Sequence, residues 1–286
     1  MQTMFKTLLL AAAMVGSSVA AMAQYTGTTY AQAKASKKAN WVLTYSEAPG
    51  FASNDGAGGL KGITMDIMMA FERYVEETHG IDVNMAVQVK NPDDFAQFLD
   101  LVKKSNGGVF GLSNTTITNE RKATYNFSPA YITNIGMILS HSSVPTLNSM
   151  DEFPAKFAGM TAVSVKNSTN EDRILHIKKT YYPAMNIVYV PGFSSAMDMI
   201  AKDPKKFANV DFTYYFQAIQ DKQPIKRHPG GDDKTEQFGI IMPKSNDWSP
   251  LLNEFMNSGF LESTEYKKII SNNLGQAAMK FFATLK

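Results

Sequence analysis

The sequence predicts an α/β protein organised as two lobes of mixed sheet with flanking helices and a hinge. Three observations predict it. Strand and helix patterns alternate from Trp41 to Leu112 with short loops between them, an order that builds a mostly parallel sheet covered by helices. A similar order restarts at Thr161. The chain has 286 residues, 44% of them hydrophobic, which is length and apolar content for one large domain or two ordinary ones.

Taken in order, Tyr25 to Asn40 is small and polar without apolar periodicity, so residues 24–40 are expected to form a leader or linker. Trp41 to Tyr45 reads as a short strand, ended by a loop from Ser46 to Gly59 that holds Pro49 and four glycines. Ile63, Ile67, Ala70, Phe71, Tyr74 and Val75 fall at helical spacing, and Gly80 closes that helix. Val83 to Val89 alternates as a strand. Pro92 to Lys104 places Phe95, Phe98, Leu99 and Val102 on one helical face, and Val109 to Leu112 is a short buried strand.

Past a junction near Ile135 to Leu139, the second unit repeats the scheme. Strands are expected at Thr161–Val165, Ile187–Val190 and Phe207–Val210, with helices at Asn170–Lys179, Ser194–Ala201 and Phe212–Gln220. Gln237 to Met242 is a further strand. Helical stretches at Pro250–Ser258, Ser263–Asn272 and Gln276–Leu285 finish the chain.

Composition excludes several classes. With no cysteine, disulfide scaffolds, thiolate metal sites and cysteine nucleophiles are ruled out. A formal net charge of +2 gives no support to bulk electrostatic binding of nucleic acid or an acidic membrane. His79, His141, His176 and His228 stand far apart, none at metal-ligand spacing, and no metal or cofactor is expected.

The N-terminus reads as an export signal. Lys6 supplies the positive region, Thr7 to Ala20 the apolar region, and Ala21-Met22-Ala23 the small-x-small pattern that precedes cleavage after Ala23. The apolar run is shorter than the roughly 20 residues that span a bilayer. Without a cysteine to carry lipid, the expectation is a periplasmic, monomeric protein that is not a lipoprotein.

Several motifs fail. Gly56 to Gly59 lacks the spacing and the Lys-Ser/Thr of a phosphate loop and reads as a turn. Gly192-Phe193-Ser194-Ser195-Ala196 echoes a nucleophile elbow, but its last small residue is Ala and helix or turn packing accounts for it better. Asp93-Asp94 and Asp232-Asp233 read as solvated caps. One cluster is more specific: the polar run Asn114 to Tyr131 follows directly on a short strand, where open α/β sheets bind ligands. It contains Arg121, whose planar fork suits a carboxylate.

This run resembles the signature of the type 2 periplasmic solute-binding proteins, in particular the polar amino-acid-binding family of ABC importers. The family's Thr-x-x-Arg step stands here as Thr118-Asn119-Glu120-Arg121, and its Phe-Ser-x-x-Tyr as Phe127-Ser128-Pro129-Ala130-Tyr131. Gly62-Ile63-Thr64-Met65-Asp66-Ile67 resembles the opening of the family's first helix, Val165 to Asn170 its strand-to-helix turn in the second lobe, and Tyr266 to Gly275 its terminal motif.

The resemblance implies a two-lobe fold, with 41–134 plus 239–286 as a discontinuous first lobe and 135–238 as the second. It implies a receptor that closes on a free amino acid and delivers it to an inner-membrane ABC permease, without turnover. By the same resemblance Arg121 grips the ligand's carboxylate, with Thr116 and the backbone of Asn114 assisting from the same lobe. Thr169 and Asn170 offer a helix N-terminus. Asp211 meets the ammonium. Tyr45, Glu47 and Phe51 lie in the first loop, and Lys166 reaches the ligand's side chain.

Each residue has a plainer reading. Arg121 pairs with Glu120 or Asn126 at the surface, Asp211 caps the helix from Phe212, Lys166 is solvated, Tyr45 and Phe51 are core, and Glu47 is a loop charge. The sequence departs from the family where Asn114 and Asn170 replace common glycines, which narrows the pocket or adds hydrogen bonds. Phe207 also stands where an Asp is usual.

A zwitterion leaves water only if both charges meet charged or charge-assisted partners, and Arg121 with Asp211 would supply them. Two alternatives stand beside the receptor. One is an exported enzyme on the same scaffold, similar to cyclohexadienyl dehydratases, with Glu47 as the extra acid. The other is an orphan sensor domain that signals through a separate protein.

Overall fold

The computed structural model describes residues 24–283; the expected export segment, residues 1–23, lies outside them. The first half carries α1 (Tyr30–Ser36), β1 (Lys38–Tyr45), β2 (Ser53–Asn54), β3 (Leu60–Lys61), α2 (Ile63–His79), β4 (Asp82–Val87), α3 (Phe95–Lys104), β5 (Val109–Leu112), α4 (Asn119–Thr124), β6 (Tyr125–Phe127) and β7 (Ile132–Thr133). Then come β8 (Gly136–His141), α5 (Phe153–Lys156), β9 (Thr161–Val165), α6 (Thr169–Thr180), β10 (Asn186–Val190), α7 (Phe193–Lys202), β11 (Lys206–Asp211), α8 (Phe212–Gln220) and β12 (Ile225–Asp233). The chain continues through β13 (Gln237–Phe238), β14 (Ile241–Pro243), α9 (Ser249–Asn257) and α10 (Thr264–Ala283).

Two five-stranded sheets carry the fold, in the orders β4-β1-β5-β14-β6 and β10-β9-β11-β8-β12. Both follow one scheme. The first three strands run parallel, and the last two pairings are antiparallel. The chain passes between the sheets along β7 and β13, which pair with each other. Because β14 returns from late in the sequence to join the first sheet, both crossings lie side by side.

Pattern and structure agree where one face is buried. Helix α2 turns Ile63, Ile67, Ala70, Phe71 and Val75 into the core and ends on Gly80 in the left-handed conformation, which glycine adopts without steric cost. Asp94 caps α3 by accepting from the Gln97 N–H. In the first core Trp41 stacks on Phe71 at 5.0 Å and meets Trp248 edge-on at 5.1 Å. In the second, Phe153, Phe157 and Phe207 form a ring cluster that His228 joins at 5.0 Å from Phe157.

Two expectations need correction. Residues 24–40 are not a structureless leader. Thr29 and Gln32 form a reciprocal capping box that starts α1, β1 already begins at Lys38, and Tyr30 packs on Trp248 at 4.9 Å. The segment lies so close to the sheet that a Cβ on Gly27 would sit 2.2 Å from the Gly108 carbonyl oxygen. Its apolar contacts come from Tyr25, Tyr30, Ala33 and Ala39, too few to register as a period.

The second is β12, which the pattern does not mark as a strand. Pro229-Gly230-Gly231 interrupts it, and its pairing with β8 shifts between His228 and Asp233. An edge strand tolerates a residue with no N–H to give. The C-terminal helical stretches expected as separate pieces are separate: α9 stands alone, and α10 is broken at Gly275, whose φ of 74° is non-helical.

Candidate functional site

The resembling motifs act first as joints. Thr118 caps α4 by accepting from the Arg121 N–H at 3.0 Å, so the Thr-x-x-Arg spacing is that of a cap and the third residue it satisfies. Asn167 takes a left-handed turn with φ 63°, as asparagine can, and Ser168 then caps α6 through the Glu171 N–H. The Tyr131 hydroxyl donates to the Ser113 carbonyl at 2.9 Å, and the Tyr266 hydroxyl donates to the Tyr131 carbonyl. Asp66 accepts from the Asn273 amide at 2.6 Å, which ties the first-helix motif to the terminal one.

These joints bring six of the ten candidate residues to one cleft between the sheets. Arg121 donates from Nη1 to the Thr116 carbonyl at 3.0 Å and from Nη2 to the Asn167 carbonyl at 2.8 Å. Its fork therefore bridges the loop after β5 and the turn after β9. The guanidinium lies 5.6 Å from the Phe95 ring. Burial pushes its pKa down, while Glu236, Tyr125, Asp172 and Asp211 act against that. The Thr116 and Thr169 hydroxyls meet at 3.2 Å. Arg121, Asn167 and Thr169 also face a cavity of about 540 Å³, within the usual size of small-ligand sites.

Asp211 ends β11 and is buried, 3% exposed. Its side chain caps no backbone N–H of α8. Instead three asparagine amides donate to it: Asn114 to Oδ2 at 2.5 Å, and Asn134 and Asn170 to Oδ1 at 2.7 and 3.4 Å. Burial pushes its pKa up to about 7; Glu236 adds to the rise, while the Asn134 and Asn170 amides and Arg173 oppose it. Both asparagines that replace common glycines in the resembling family thus close on the one carboxylate.

The other four candidates lie elsewhere. Phe51 is fully buried among Tyr131, Phe212 and Phe238, so it is core. Tyr45 is buried in β1, its phenol pKa raised by burial and then by Glu47, against a hydrogen bond with Asn54. Glu47 contributes its backbone carbonyl, which accepts from the Tyr214 hydroxyl at 3.0 Å. Lys166 is exposed and stands over the Tyr189 ring at 4.9 Å, outside the cleft.

Sequence reasoning missed Asn134 and Glu236, which flank the crossing strands. The Asn134 amide nitrogen donates to both Asp211 Oδ1 and Glu236 Oε2, the latter at 2.9 Å. Glu236 also accepts from Thr116 at 3.3 Å and faces Arg173 at 3.4 Å. No local pattern marks either residue, because each meets its partners only across the crossing. Among the described residues no group of three or more His, Asp or Glu could hold a metal ion.

Chemically, the cleft gathers the Arg121 guanidinium, the buried carboxylate of Asp211, the partly buried one of Glu236 and a helix N-terminus, and further contacts clamp its rims. The Ser195 hydroxyl donates to Asp93 at 3.0 Å, and the Phe95 N–H donates to the Pro191 carbonyl at 3.3 Å. Arg121 and Asp211, the charged groups able to hold an ionic solute, are both engaged by protein partners across the cleft.

The chain is similar in fold to solved binding proteins at low identity. An ancestral arginine-binding protein bound to glutamine superposes with a TM-score of 0.67 at 18% identity, covering 83% of this chain and 98% of that one. The arginine-, lysine-, histidine-binding protein ArtJ from Geobacillus stearothermophilus gives 0.65 at 20%, covering 83% and 96%. An ABC uptake transporter substrate binding protein from Streptococcus pneumoniae with bound histidine gives 0.67 at 16%, covering 86% and 96%. The fold is that of the type II periplasmic binding proteins. No curated protein sequence matches the chain. The model of the bacterial extracellular solute-binding proteins, family 3, matches residues 41–276, most of the chain, and the protein belongs to that family.

Proposed function

We propose that the protein is an extracytoplasmic receptor, periplasmic and monomeric, that captures a free amino acid or a closely related amino-carboxylate between two closing lobes. It would deliver the ligand to an ABC permease and carry out no reaction on it. The lobes are residues 41–134 with 239–286, and 135–238, hinged at β7 and β13. The observation that carries the reading is the meeting of Arg121, Asp211 and the first turn of α6 in one cleft.

Opening the lobes frees Arg121 from the Asn167 carbonyl and Asp211 from the Asn114 amide. A ligand's carboxylate and ammonium then replace those partners. Each hydrogen bond to a charged group contributes about 1.5–3 kcal/mol, and a closed state that the ligand touches from both sides is favoured by that difference alone.

An enzyme on the same scaffold is a second reading, because burial and Glu236 bring Asp211 to about 7, the range of a general acid at neutral pH. Both oxygens of Asp211 are engaged by amides, which favours the receptor. Calorimetric titration with the twenty amino acids tests the receptor: saturable binding that falls at least tenfold in Arg121→Ala supports it, and silence across the panel overturns it. Consumption of prephenate or arogenate would instead establish the enzyme.

A further inference from the structure

A second cavity, of about 480 Å³, opens on the far side of Glu236, between α6 and the end of β12. It meets the rim cavity at Arg121 along the shared wall of Thr169 and Asp172 and extends away from it to Asn209 and the end of β12. Asn209 on β11 faces it and is 4% exposed. The Asn209 Oδ1 is buried with no hydrogen-bond partner among the described residues. A buried carbonyl left without a donor carries an uncompensated desolvation cost, which an N–H group inside the cavity would remove.

The charge on the wall points to the same occupant. Asp172, Asp233 and Glu236 line the cavity. Arg173 meets Asp233 at 3.2 Å and Glu236 at 3.4 Å, both through Nη2, while its Nη1 lies against Gly136 without a hydrogen-bond partner among the described residues. Asp172 has no ion pair among the described residues, and burial with Glu171 and Glu120 nearby raises its pKa. These three carboxylates thus face one guanidinium and His176, and the Asn209 carbonyl in the interior needs a donor.

We propose that this cavity binds a small aliphatic ammonium, with a linear diamine as the best fit, at a site distinct from the cleft. One ammonium donates to Asn209 Oδ1 in the interior, and the other lies beside Asp172 at the mouth. Because Glu236 borders both places, occupation here bears on the cleft through Thr116 and Asn134. The site does not depend on the cleft ligand being an amino acid.

Calorimetric titration of the whole mature chain with diaminobutane at constant ionic strength tests it, with tetramethylammonium as a cation that has no N–H donor. The expected result is saturable binding of one diamine, no response to tetramethylammonium, and at least tenfold weaker binding in both Asp172→Asn and Asn209→Leu. Asp172 is at the surface, so its variant keeps the fold should Asn209→Leu fail to. Binding that persists in Asp211→Asn supports a site outside the cleft. No saturable heat, an equal response to tetramethylammonium, an unchanged affinity in Asp172→Asn, or loss of binding only in Asp211→Asn would each overturn the proposal. Amino-acid binding is read separately through Arg121→Ala, so either reading can fail alone.

Discussion

The Asn114 amide donates to Asp211 Oδ2 at 2.5 Å across the cleft, joining residues 97 positions apart in the chain. Asn114 follows the end of β5 in the first sheet and Asp211 ends β11 in the second, so the bond exists only while the sheets are drawn together. Under the function proposed above, it stands in for a cationic ligand group and holds the cleft shut.

Removing that stand-in opens the protein. Asn114→Gly deletes a hydrogen bond to a buried acid, about 1.5–3 kcal/mol. A larger radius of gyration by small-angle scattering is expected without ligand, together with tighter binding of amino acids. An unchanged radius would show that the remaining rim contacts hold closure without Asn114.

Asn134 separates two acids, the buried Asp211 and the partly buried Glu236. Its single amide nitrogen serves both Asp211 and Glu236, so Asn134→Ala leaves two carboxylates facing each other with less compensation. A loss of about 1.5–3 kcal/mol is expected, read as a lower urea midpoint at pH 8. The deficit should shrink at pH 5, where the pair holds a proton more readily.

His228 sets a pH slope. Its Nδ1 accepts from the Leu147 N–H at 3.0 Å, so Nε2 carries the proton toward the Ser140 hydroxyl at 2.7 Å. Burial, then Lys226 and Lys156, lower its pKa from 6.5 to about 4. The unfolded chain therefore binds a proton that the folded one refuses. The contribution is fully present above pH 6.5 and is lost as pH falls toward 4, about 3 kcal/mol in all. Asp211 has the opposite sign, since its folded pKa of about 7 lies above 3.8; it favours the folded state at low pH and loses that as pH rises to 7. His228→Gln should remove the first slope and leave the second, so its stability relative to the native protein improves between pH 7 and pH 4. Parallel curves would sink the assignment.

The N-terminal segment is part of the fold. Gly27→Val would drive a side chain into the Gly108 carbonyl, and a loss of about 1–3 kcal/mol is expected. That corresponds to a thermal midpoint lower by several degrees. A midpoint unchanged within one degree would show residues 24–28 to be dispensable packing.

Much of the architecture is legible in local pattern. The bounds of α2, β5, β9 and α8 follow from apolar spacing, caps and glycine stops, because each turns one face to a core and its ends are satisfied by neighbours in sequence. Segment 24–37 and β12 were not legible in that way. The first packs through a few scattered apolar side chains, and the second is an edge strand whose proline and glycines look like a turn until β8 lies beside it.

The site divides along the same line. The chain alone determined that Arg121 follows a Thr cap, that α6 begins at a Ser-Thr turn, and that an acid ends β11, since these depend on contacts within a few residues. Only the tertiary structure decided that Asn114, Asn134 and Asn170 converge on that acid, that Glu236 joins it, and that Phe51 is core while Lys166 is solvated. Those outcomes depend on which side chains the two crossings bring within hydrogen-bond reach, a distance that spacing along the chain does not contain.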